Sequence, residues 1–143
     1  MLKLDNKNMT INKAILITMA VLALHAFGLL WAYSALPWFD IPMHLGGGLA
    51  MAALAIGLWN EGIEEVTFKK SLERHLKWWL LPAIVLGFVA LIGVGWELHE
   101  FVFDQFFPSQ FGWRQPSIGD TMMDFVMDIV GGILAIFFWK RSS

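Results

Sequence analysis

Apolar residues along the chain gather in four long runs, and polar residues fall almost entirely at the ends of those runs or between them. Residues 1–13 are polar and carry Lys3, Lys7 and Lys13, after which Ala14 to Leu36 is apolar nearly throughout. Basic residues ahead of an apolar run resemble a secretory signal. This run, however, exceeds the usual roughly 7–15-residue signal core, and no small-residue cleavage site follows it. It predicts a transmembrane helix over 14–36, since about 20 apolar residues cross a bilayer core. The second run predicts a helix over 41–59, with Asp40 placed to cap it and Pro42 in its first turn. The third, 78–103, carries no charged residue from Trp78 to Trp96 and tolerates Pro82 near its start. The fourth, 119–139, is followed by Lys140 and Arg141.

Residues 60–77 form a charged connection whose apolar positions Val66, Leu72 and Leu76 predict a short helix on the membrane surface. Residues 104–119 form an aromatic loop, in which Phe106, Phe107, Phe111 and Trp113 are suited to the headgroup layer. The pattern therefore predicts an all-α integral membrane protein. It is a four-transmembrane-helix bundle with a short amphipathic cytoplasmic segment between helices 2 and 3, forming a single transmembrane domain over 1–143.

Composition agrees: 57% of the 143 residues are hydrophobic and 15% charged, where a soluble domain carries about 25% charged residues. The absence of cysteine excludes disulfides, thiolate nucleophiles and sulfur ligands. A net charge of −2 without a basic block excludes nucleic acid as a partner. Charge distribution sets the expected orientation. Alternating the connections by side places Lys3, Lys7, Lys13, Lys69, Lys70, Arg74, Lys77, Lys140 and Arg141 together and leaves Arg114 alone on the other. By the positive-inside rule both termini are cytoplasmic, in a multi-pass protein of a bacterial inner membrane.

On that topology the acids converge. Asp40 and His44 open helix 2, Glu97 and Glu100 close helix 3, and Asp120, Asp124 and Asp128 descend from the start of helix 4, all at the non-cytoplasmic end. Spacings of three and four put each set on one helix face. Small residues continue the same faces: Gly47 and Gly48 beside His44, Ala90 and Gly93 below Glu97, Gly131 below Asp128. Small residues let membrane helices approach closely, so the acidic faces point into the bundle.

Intramembrane carboxylates need protons, partners or a cation. Local bases are few, and a divalent metal (Mg²⁺, Mn²⁺ or Zn²⁺) is the simplest neutraliser for oxygen ligands with one imidazole. The expected ligands are Asp40, His44, Glu97, Glu100, Asp120, Asp124 and Asp128, with His44, Glu97 and Asp124 carrying catalysis and Arg114 binding a substrate phosphate. Plainer roles stand beside these. Asp40 serves equally as a helix cap, and Ser117 with Asp120 resembles a capping box. Asp104 suits a helix end, Arg114 an interface anchor and His44 a packed core position. His99 lies about 100° from Glu100 around its helix and is out of register. His25, in mid-helix 1 without an acidic neighbour there, reads as structural.

Three motifs, D-x-x-x-H-x-x-G-G (Asp40, His44, Gly47, Gly48), W-E-x-x-E (Trp96, Glu97, Glu100) and the stretch from Gly119 to Gly132, resemble small bacterial membrane proteins of the YjdF-like group and, more loosely, VanZ-like proteins. The resemblance covers helices 2 to 4 and implies a polytopic fold with a shared polar site, without implying a reaction. The expected function is a metal-dependent membrane hydrolase or transferase acting on a lipid-linked substrate. Two alternatives are ion, proton or small-solute transport, which four helices would serve only as a homo-oligomer, and a non-catalytic membrane subunit.

Overall fold

The structure, a computed structural model, describes residues 9–36, 38–62, 72, 75–107 and 117–141. Helix α1 (Ile11–Phe27) begins where the Thr10 hydroxyl accepts from the Lys13 N–H at 3.4 Å. That cap starts the helix three residues earlier than the apolar run alone suggests. It continues through a π turn at Gly28–Ala32 and a last turn at Tyr33–Ala35. A Cβ on Gly28 would lie 2.6 Å from the Phe39 ring and 2.8 Å from the Tyr33 ring, so this widened turn needs glycine. Helix α2 spans Asp40–Gly62, α3 spans Leu81–Phe106 behind a π turn at Leu76–Leu80, and α4 spans Ile118–Arg141. The Ser117 hydroxyl accepts from the Asp120 N–H at 3.2 Å, as the capping signature predicts. All four helices are long and apolar enough to cross a membrane, and no strand occurs among the described residues.

Helix α2 runs three residues beyond its expected end because two polar residues of the charged connection tie it to the start of α1. The Glu61 carboxylate accepts from the Ile11 N–H at 3.1 Å, and the Asn60 amide donates to the Met9 carbonyl at 2.9 Å. Most of the expected surface helix (63–71, 73 and 74) lies outside the described residues, as do Arg114, Phe111 and Trp113.

Helix α2 is the hub, packing against each of the others, and its tightest partner is α4. A Cβ on Gly48 would overlap the Asp128 carbonyl, and one on Gly131 would overlap the Leu45 carbonyl. The two backbones therefore cross almost in contact, the geometry that small residues permit between membrane helices. One half of the bundle is filled by an apolar core: Ala52, Ala55 and Ile56 from α2, Leu81, Val85 and Val89 from α3, Ala135 and Trp139 from α4. Large apolar side chains such as Leu16, Leu30 and Leu91 point outward, where lipid rather than water surrounds them. Helix α1 packs on α2 and is the least buried of the four spans.

Candidate metal centre

The other half of the bundle is polar. His44 lies one turn into α2 and is 5% exposed, at the crossing with α4 where the glycines admit no side chain. The Gly46–Gly48 run, costly for a helix at roughly 1 kcal/mol per residue, is thereby explained at two of its positions. Gly48 meets the Asp128 backbone, and Gly47 faces Asp128 Oδ1. Gly93 on α3 completes the notch, since a Cβ there would come within 2.5 Å of Asp128 Oδ2.

Around the imidazole, the two nitrogens meet different surroundings. Nδ1 lies 3.4 Å from Asp128 Oδ1. Nε2 faces three carboxylate oxygens from three helices: Asp40 Oδ1 at 3.7 Å, Glu97 Oε1 at 3.8 Å and Asp124 Oδ1 at 3.8 Å. Those separations exceed hydrogen-bond range, and His44 Nε2 is buried with no hydrogen-bond partner. Two sets, Asp40–His44–Asp124 and His44–Glu97–Glu100, each place one ligand atom per residue within 4.8 Å of the others. Ligands about 2.1 Å from a common ion stand roughly 3.0–3.8 Å apart at angles between 90° and 130°. Nε2 thus stands at ion-sharing rather than hydrogen-bonding range of its neighbours, and His44 belongs to both sets, neither of which joins Glu97 to Asp40 or Asp124.

Each expected site residue has a definite place. Asp40, in the first turn of α2, is partly exposed and close to His44. Glu97, Glu100, Asp124 and Asp128 are buried. Glu100 accepts from the Trp96 indole at 2.7 Å, which fixes its carboxylate at the edge of the cluster. Asp120 sits in the first turn of α4, further toward the open end. His99 is exposed, its ring set beside Trp96 and Phe103 and turned from the cluster. Asp104 is partly exposed near the end of α3.

Sequence reasoning missed a polar pair on α1. His25 Nδ1 and the Tyr33 hydroxyl are hydrogen-bonded at 2.7 Å, spanning the π turn, and the His25 ring stands edge-on to Trp96 at 5.0 Å.

The family model that matches residues 1–143 is described as predicted membrane protein (DUF2238), in agreement with the expected YjdF-like resemblance. No curated protein and no solved structure matches the chain.

Proposed function

We propose, for a chain that belongs to the DUF2238 family of predicted membrane proteins, that His44 Nε2 binds a divalent cation together with Asp40 and Asp124, with Glu97 closing on the ion from the second set. On this reading the protein is a metal-dependent hydrolase or transferase acting on a lipid-linked substrate. One observation carries it: a buried imidazole nitrogen without a hydrogen-bond partner faces three carboxylates, while its other nitrogen meets a fourth. A metal-binding histidine characteristically gives its second ring N–H to a carboxylate that fixes the ring. Asp128 takes that orienting part here, rather than the ligand part its position in the helix suggests. An imidazole among carboxylates favours Zn²⁺ or Mn²⁺ over Mg²⁺.

A bound ion of this kind supplies an activated water or a polarised carbonyl or phosphoryl oxygen. Glu100, held by Trp96 within the second ligand set, is placed to relay a proton. The charge pattern of the connections puts the site at the non-cytoplasmic face. A transport reading calls for a polar path through the other half of the bundle. That half is packed with Ile56, Leu81, Val85 and Val89, each at most 1% exposed, which argues against such a path.

The test is elemental analysis of purified protein alongside Mn²⁺ and Zn²⁺ titration. Wild type binds about one ion per chain, and Glu97→Gln and Asp124→Asn lose it while keeping their helical content. Metal-free wild type whose melting is unmoved by Mg²⁺, Mn²⁺ or Zn²⁺ would overturn the reading.

A further inference from the structure

Helices α1 and α3 both pack on α2 but not closely on each other, and the space between them is a cavity of about 240 Å³. Its walls are apolar over most of their length: Val21 and Leu22 from α1, Met51 from α2, Val89 and Ile92 from α3. At one end it reaches Asp40, His44 and Asp128, the cavity-side members of the polar cluster. Its volume falls below the roughly 300–1,000 Å³ of pockets for drug-sized ligands, which suits one hydrocarbon chain rather than two. In a membrane such a cleft faces lipid, so its natural occupant arrives sideways from the bilayer.

Charge then selects the head of that occupant. Asp40 and Asp128 line this end with His25 and His44, and Glu97, Glu100 and Asp124 stand behind them around His44, so one divalent ion leaves the carboxylates negative overall. Among the described residues no lysine or arginine lines the cavity. Uncompensated carboxylates in a medium of low dielectric are costly, so the ligand that fits brings positive charge. The rings of Tyr33 and Trp96 line the same end, and aromatic faces attract ammonium groups more strongly where water is excluded.

We propose that this cleft binds a single-chain amphiphile with an amine or quaternary ammonium head, the chain lying between α1 and α3 and the head between Asp128 and the rings of Tyr33 and Trp96. This names the substrate class of the site described above, and it rests on that reading for the reaction though not for the binding.

The experiment uses the full chain in phosphatidylcholine nanodiscs and three matched twelve-carbon probes with a mid-chain diazirine, ending in amine, alcohol or phosphate. The amine probe labels peptides containing Leu22 and Ile92 several-fold more than the other two, and unlabelled dodecylamine removes the excess. Leu22→Trp and Ile92→Trp, which fill the cleft without touching the ligand set, lower that labelling and leave labelling of lipid-facing Phe137 and Phe138 unchanged. Asp128→Asn removes the preference for amine over alcohol. Equal labelling by the three probes, a preference for phosphate, or amine labelling of Phe137 and Phe138 as heavy as that of the cleft overturns the proposal. Repeating the labelling with and without Mn²⁺ separates the two readings. Amine preference in protein that binds no metal supports the cleft alone, whereas a bound ion without amine preference overturns the cleft alone.

Discussion

The crossing of α2 and α4 can be tested by adding one methyl group. A Cβ on Gly131 would overlap the Leu45 carbonyl oxygen and lie 2.7 Å from Leu49 N and 3.1 Å from Leu45 C. These are backbone atoms, so no rotamer change relieves the clash. Comfortable carbon contacts lie near 3.5–4.0 Å, which requires Gly131→Ala to push the helices about 1 Å apart. Overpacking of this kind costs about 1–3 kcal/mol, and at roughly 4 °C per kcal/mol for a chain of this length Tm falls by several degrees. The displacement also carries Asp124 away from His44 Nε2, from which its Oδ1 stands 3.8 Å, so metal affinity falls together with stability. Gly95→Ala is the control: nothing lies within 4 Å of its Cβ position, and the substitution gains up to about 1 kcal/mol of helix propensity. Thermal unfolding in nanodiscs and Mn²⁺ titration followed by electron paramagnetic resonance read both effects. Gly131→Ala behaving like Gly95→Ala in the two assays would refute the close crossing and its coupling to the site.

Further outcomes follow from the same geometry. Asp128→Asn leaves the ligand set intact but weakens the orienting contact to His44 Nδ1, and Mn²⁺ titration shows a loss of roughly 10–100-fold in affinity. Ile56→Ala, at a fully buried position, destabilises by about 2–5 kcal/mol; Ile84→Ala, 44% exposed to lipid, changes thermal stability far less, and similar losses for the two would contradict the assigned core. Ser117→Ala removes the hydroxyl that caps α4 and costs about 1 kcal/mol in chemical unfolding, a loss that Ser117→Asp restores.

Most of this architecture was legible in the chain because lipid imposes a single demand, continuous apolar helix, that sequence displays directly. Helix ends were less so. The start of α1 depends on the Thr10 hydroxyl, and the end of α2 on Glu61 and Asn60 reaching residues some fifty positions earlier. The convergence of Asp40, His44, Glu97 and Asp124 could be read from helical register and shared depth. The arrangement around His44 could not, because Asp124 and Asp128 occupy the same face of α4 and differ only in which ring nitrogen each meets. The π turn at Gly28–Ala32 has no periodic signature, and the His25–Tyr33 hydrogen bond that spans it was invisible for that reason.

The acidic face of α4 also bears on how the protein is made. Asp120, Asp124 and Asp128 fall on one side of the last span, and each ionised carboxylate costs up to about 2.5–3.5 kcal/mol in the middle of a bilayer. The notch formed by Gly47, Gly48 and Gly93, which receives Asp128, belongs entirely to α2 and α3. Synthesis runs from the N-terminus, so the receiving surface leaves the ribosome before the helix that needs it. A chain released ahead of α4 would instead present His44 and Glu97 to lipid along an open groove between α2 and α3.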